Sequence, residues 1–400
     1  MQPALTRCLR PDVAVRPFDA VEGDDRFVVA VDNRHFLVTA AAAAVLDASR
    51  QPGTAASIAQ RASARLGVTL SAQQVAEFLS QHAPSILFAR DTQPQAPRGP
   101  LRVRHLLASG ERLAPVLARL AWLFQARVAV ALAMAFVLVD VLVAWSAASG
   151  TASANAVGWT DLALALALTA AGVFVHELGH LAACVRHGAS HGGVGVGLYW
   201  CFPTFYSEVH GAWLLGRWQR AAVDAGGVYL QGGFVLLLGL VFLATRSPAV
   251  LGAIAWSHLL MLHTLNPVLK FDGYWLLTDL TGTPNLHRNI TRTARGVLRA
   301  VSPAVRGALP AARDLVVFGV FMAVALVYFA YLLRVLGDGI ASALVSVVTA
   351  FAAPEFTVVA ALELAGRVIV VALLLAMALG IAVLVARSVN SVSEESTHAD

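Results

Sequence analysis

The chain has 400 residues, of which 58% are hydrophobic and only 13% charged, with a formal net charge of +5. Soluble domains carry roughly 25% charged residues, so this composition excludes a water-soluble globular protein and indicates a polytopic membrane protein. The modest charge is almost all arginine, Lys270 being the single lysine; it argues against a nucleic-acid partner and is of more use for topology.

Cys8, Cys184 and Cys201 lack CxxC spacing, which excludes a cysteine-rich zinc site and speaks against a disulfide framework. The first thirty residues contain no apolar run of signal length and already carry Arg7, Arg10, Arg16 and Arg26, so the N-terminus is expected to stay in the cytosol. The arginine and alanine bias suggests a bacterial coding sequence, hence a multi-pass protein of the bacterial inner membrane.

Residues 1–92 read as a small α+β domain. "RFVVAVDNRHFLVT" alternates apolar and polar residues on both sides of "DNR", predicting a hairpin. An alanine-rich helix follows at 40–48. "PGT" breaks the chain, "AASIAQRASARLG" predicts a helix ending in glycine, and "SAQQVAEFLSQHA" a third helix with a serine cap. "SILFAR" predicts a short strand. Strands around three helices suggest a winged-helix-like module. Three prolines in "DTQPQAPRGP" mark a linker, and the span 93–126 is expected to be this linker and an amphipathic lead-in helix.

The residues "VAVDNRHFLVTAAAAAVLDA", "GTAASIAQRAS" and "SAQQVAEFLSQH" resemble the PqqD-like peptide-recognition modules of ribosomal-peptide maturation systems. The resemblance implies a module that binds a leader peptide by adding it as a strand to a sheet edge, which suits the unpaired backbone groups such an edge offers. A plain regulatory or anchoring domain is the other reading.

Residues 127–388 are expected to form the membrane domain. Since a span needs about 20 mainly apolar residues, six are predicted: 127–147, 161–185, 222–245, 250–269, 314–333 and 367–386. The stretch 340–352 is short for a span and is expected to be interfacial or re-entrant, or to hide a seventh crossing. Arginines crowd the front of the first span and the segment between the fourth and fifth, whereas the first outer loop has none. This predicts cytosolic termini. Residues 389–400 read as a disordered tail.

Within the second span, "VFVHELGHLAAC" carries His176, Glu177 and His180. Residues i and i+4 share a helix face, so both imidazoles can hold one metal ion while Glu177 reaches its bound water. Ionisable groups in a span point to function by default. A catalytic zinc needs a third protein ligand, and "LNPVLKFDGYWLLTDL" offers Asp272 at another helix end. Asn266-Pro267 breaks the chain there, and Gly273 is expected to permit an unusual backbone at the carboxylate. Glu208 is the rival third ligand.

The pair "HELGH" and "NPVLKFDGYW" resembles the site-2 protease family of intramembrane zinc metallopeptidases, most strongly over residues 160–285. The resemblance implies Zn2+ held by His176, His180 and Asp272, with Glu177 as general base and Asn266 binding substrate or polarising its carbonyl. No PDZ-like insertion separates the two motifs.

Other groups have quieter readings. His187 and His191 are surface histidines or gate zinc and protons. His258 and His263 either support Asp272 or pack in the bundle. "GLYWCFPTFYSE" is an aromatic belt or a strand that presents extended substrate. "DAGGVYLQGG" allows close helix packing beside the site. Asp140, Asp224 and Arg367 pair with one another or cap helices, and Asp279 supports the site at most. The expected function is hydrolysis of a peptide bond in a membrane-associated or ribosomally made precursor peptide, the N-terminal module recruiting it. The alternative is a non-proteolytic membrane component that binds or exports a peptide around a structural zinc.

Overall fold

The computed structural model describes residues 8–20, 25–32, 34–88, 101–150, 158–199, 202–301 and 309–352, with three isolated positions further on. Apart from those positions the predicted sixth span lies outside them, as do the polar tail, Arg367, Cys201 and the proline-rich stretch 91–100.

The N-terminal module opens with an antiparallel sheet of β1 (Ala14–Pro17), β2 (Arg26–Val31) and β3 (Arg34–Thr39), in that order. Val31 pairs with Arg34, so the predicted hairpin forms around a two-residue turn, with Asp32 at φ 47°. Asp tolerates that left-handed region. The buried Arg10 holds this Asp32 through both carboxylate oxygens at 3.0 Å.

Three helices follow, α1 (Ala40–Ala48), α2 (Ala55–Leu66) and α3 (Ala72–Glu77), and each starts as its cap residue dictates. Thr39 and Thr54 accept from backbone N–H groups of the first turn, and Ser71 and Gln74 cap reciprocally. Gly67, at φ 67°, ends α2. The helix at 72–82 widens into a π-helical turn at Phe78–His82, which the periodicity does not announce. "SILFAR" is a correction: Ser85–Leu87 forms a 3-10 turn. Its apolar side chains Ile86 and Leu87 pack into the core with Leu9, Val13, Val29 and Leu46, and burial rather than strand pairing fixes them.

A second correction concerns the lead-in. Its first part is a strand, β4 (Leu101–Ala108), before the helix α4 (Gly110–Leu120). β4 finds its partner about ninety residues later, in the hairpin β5 (Val194–Tyr199) and β6 (Phe202–Ser207), giving the order β4-β5-β6. The aromatic stretch is therefore a strand pair.

Four described helices are long and apolar enough to cross a membrane: α5 (Ala126–Ala148), α6 (Trp159–His187), α7 (Arg217–Thr245), and the Ala312–Tyr331 part of α11 (Ala312–Ala352). The predicted fourth span is the 17-residue α8 (Pro248–Thr264). At 1.5 Å per residue it rises about 25 Å, short of a ~30 Å hydrocarbon layer, because the chain breaks before Asn266-Pro267. Two further helices, α9 (Asp272–Thr281) and α10 (Leu286–Val301), precede α11. The 340–352 stretch is the continuation of α11, not a separate helix.

The apolar heart of the helical domain is the contact of α5, α6, α7 and α8 around Val139, Val235, Phe242 and Ile254. Between membrane helices this contact is held by van der Waals packing and close backbone approach rather than by removal from water. Helices α6 and α7 approach most closely at Gly179 and Gly226. A Cβ on Gly179 would overlap the Gly226 carbonyl, and one on Gly226 would stand 2.8 Å from the Gly179 oxygen. This crossing sets the site.

Candidate metal centre

Helix α6 presents His176 and His180 one turn apart, both buried. Asp272 is the first residue of α9, where a carboxylate also meets the positive end of the helix. The fold brings these three together. His176 Nε2 lies 2.8 Å from Asp272 Oδ2, His180 Nε2 lies 3.2 Å from that same oxygen, and the two Nε2 atoms are 3.1 Å apart. Among the described residues this is the group of His, Cys, Asp and Glu side chains spaced to hold a metal ion.

The outer nitrogens decide what the inner ones can do. His176 Nδ1 donates to Gln231 Oε1 at 3.0 Å, and His180 Nδ1 donates to the Val223 carbonyl at 2.8 Å. Each ring therefore carries its proton on Nδ1 and turns a lone pair inward on Nε2. Two lone pairs and a carboxylate oxygen then face one point, which is unfavourable unless a metal cation or a shared proton sits among them. A tetrahedral ion with ligands at about 2.0–2.1 Å holds them about 3.3 Å apart, close to the spacing here. Space is kept as well: a Cβ on Gly227 of α7 would stand 2.5 Å from both Nε2 atoms. The donor set and the cradle fit a cation.

Glu177 points to the side of this group. Its Oε2 accepts a hydrogen bond from Ser207 Oγ at 2.6 Å, so the last residue of β6 orients the carboxylate. Strand β6 is the edge of its sheet.

Asn266 sits in the break between α8 and α9 and is buried. Its Oδ1 accepts from Val268 N at 3.0 Å, while its Nδ2 has no hydrogen-bond partner. A buried amide donor without an acceptor is costly and is suited to a carbonyl brought in from outside. The break closes on itself at Gly273, where a Cβ would collide with the Leu265 backbone. Here the expectation is corrected: Gly273 has no positive φ, and glycine is needed for close approach, which sets Asn266 near Asp272.

Several predicted partners lie elsewhere. Glu208 is not in the cluster; its side chain covers Gly192. His258 faces Asp140 at 3.2 Å and stacks on Phe136, so it supports neither Asp272 nor a ligand. His263 packs against the Phe271 ring. His187 ends α6, and His191 Nδ1 donates to the Gly192 carbonyl. Asp279 is paired with the buried Arg220 at 2.8 Å.

The sequence places the stretches of Gly227, Gln231 and Ser207 beside the site, as close helix packing and a possible substrate strand, but not their individual contacts with His176, His180 and Glu177. Gln231 had a signal: it is a lone amide in an apolar, glycine-rich helix, four residues after Gly227 and so on its face. Ser207 had none, since its role depends on where β6 docks.

Compared with protein-family models, curated proteins and solved structures, the chain matches none of them.

Proposed function

We propose that the protein is a membrane zinc metallopeptidase that hydrolyses a peptide bond in a membrane-associated or ribosomally made precursor peptide. The observation that carries this reading is the tautomer-fixed pair His176 and His180 closing on Asp272, with Glu177 beside them. Two imidazoles and a carboxylate suit Zn2+, and leave a fourth position for water or substrate. Bound there, the ion supplies Lewis acidity and lowers the pKa of its water toward ~7.

The residues of the chain supply the rest. Glu177, held by Ser207, takes the proton from the attacking water and returns it to the leaving amine. The unpartnered Asn266 Nδ2 donates to the substrate carbonyl as negative charge builds on its oxygen. An extended substrate pairs with the free edge of β6, whose last residue touches the base. The winged-helix-like N-terminal module, similar to PqqD-like modules, recruits the precursor by its leader. The protein would lie in the bacterial inner membrane with the module in the cytosol.

The test uses purified full-length protein loaded with zinc, incubated with small precursor peptides encoded beside its gene and read by mass spectrometry. Wild type is expected to cleave at one position. Glu177→Gln is expected to lose about 10²–10⁴-fold in rate while keeping its zinc. Asp272→Ala is expected to lose the metal itself. Zinc-loaded wild type that cleaves none of the peptides would sink the maturation reading, and unchanged zinc in Asp272→Ala would remove that ligand.

A further inference from the structure

Two sets of contacts join the N-terminal module to the metal-bearing helices, and both end on α9. The first centres on Arg220, near the start of α7 and only 4% exposed. Its Nε donates to Asp279 Oδ1 at 2.8 Å, Nη1 to the Leu215 carbonyl at 2.9 Å and Nη2 to the Asp19 carbonyl at 2.8 Å. The guanidinium also lies 4.2 Å from the Phe18 ring centre. Asp19 Oδ2 accepts from Arg217 N at 2.7 Å, satisfying one of the open N–H groups that begin α7. Phe18 and Asp19 directly continue β1, so the edge of the module's sheet runs into the contact.

The second is aromatic. His35, on β3, stacks on Trp213 at 4.0 Å, and Trp213 meets Trp275 edge-on at 5.7 Å. Burial and the neighbouring His210 push His35 down to about 4, so it stacks as a neutral ring.

Trp275 and Asp279 follow Asp272 by three and seven residues on the one helix, spacings that share a helix side. Helix α9 has 10 residues and emerges from an irregular loop. A helix this short does not hold itself in water and takes its place from packing. The packing that fixes it is therefore the packing that fixes the carboxylate at its first position. A module that came away would strip Arg220 of two contacts and leave a buried cation underpartnered, which is strongly unfavourable.

We propose that the N-terminal module is a positioning element of the metal centre: docked through Arg220 and Trp213, it holds α9 and so presents Asp272 to His176 and His180. The proposal rests on the metal-centre reading given above. Arg220 and Trp213 are positioning residues that touch neither the ligands nor substrate. A peptide seated on the module acts on the centre through these same contacts, so recruitment and metal geometry are one event.

The test measures Zn2+ affinity of the full-length protein by competition with a chromophoric chelator, and hydrogen exchange over residues 265–281. The module-side variants are Phe18→Ala with Asp19→Ala, and His35→Ala; the core-side variants are Trp213→Ala, Arg220→Ala and Arg220→Lys. Each clamp variant is expected to weaken zinc binding about 10- to 100-fold, as loss of a group supporting a metal ligand does, and to speed exchange over 265–281. Arg220→Lys is expected to keep thermal stability closer to wild type than Arg220→Ala, without restoring affinity, because lysine lacks the planar fork. Phe18→Ala alone is expected to add little in an Arg220→Ala background, because its ring meets the Arg220 guanidinium, whereas Asp19→Ala, whose carboxylate holds Arg217 N, is expected to add its own loss. Val68→Ala, on the exposed surface of the module, serves as the unchanged control. Wild-type affinity and exchange in the folded module-side variants would overturn the proposal. If wild type bound no zinc, the metal reading would fall, and the exchange measurement alone would still decide the coupling.

Discussion

Gly227 carries no side chain where α7 passes the two imidazoles, so nothing from α7 crowds their Nε2 atoms at the proposed metal site. Gly227→Ala is expected to abolish zinc binding, since the added methyl would stand 2.5 Å from the Nε2 atoms of both His176 and His180; metal analysis checks the loss, and thermal unfolding of the same preparation checks that the protein still folds. Asn266→Ala is expected to leave zinc stoichiometry unchanged and to cost about 10²–10³ in kcat, the usual effect of removing an oxyanion donor. Steady-state kinetics on a cleaved precursor peptide measure it. At this scale the sequence is most informative where spacing alone sets geometry. His176, Glu177 and His180 are legible because four residues make one helical turn. Asp272 is legible only through the motif around it, since its approach across 96 positions depends on tertiary structure. Gly273 is visible as a glycine, but its reason is the Leu265 backbone, which no local pattern reveals.

Helices α6 and α7 can place histidines against a glycine cradle because they touch backbone to backbone at Gly179 and Gly226. Gly179→Ala is expected to force them apart. It should destabilise the protein by about 1–3 kcal/mol, the range for overpacking, and lower zinc affinity with it; denaturant unfolding and metal titration should move together. The capped helices α1 to α3 and the β2–β3 hairpin follow from local signals, namely Thr39, Thr54, Ser71, Gly67 and the turn at Asp32. Elements that depend on distant partners do not. Strand β4 carries a mixed apolar and arginine pattern, and its identity comes from pairing with β5. Among the described residues Ile86 and Leu87 pair with no strand; their turn packs into the core instead.

At the scale of the whole molecule, the order of the sheet constrains how the chain threads a membrane. Strand β4 precedes α5 and pairs with β5, which follows α6. Both strands therefore lie on one side, and α5 and α6 form an out-and-back pair. The module contacts Arg217 and Arg220 at the start of α7 and shares that side. His180 lies seven residues from the end of α6, which puts the proposed centre about 10 Å in from the module's side. In a background without native cysteines, Val68→Cys is expected to react with an impermeant maleimide only after permeabilisation, and Ser149→Cys, between α5 and α6, in intact cells. The reverse pattern would invert the orientation. The module is complete early in synthesis, yet β4 waits for β5, and His180 then waits 92 residues for Asp272. At ribosomal rates of about 5–20 residues per second, that last interval lasts about 5–20 s. A nascent chain thus carries the module and both histidines before Asp272 is made, so the proposed centre can close only in the later part of synthesis.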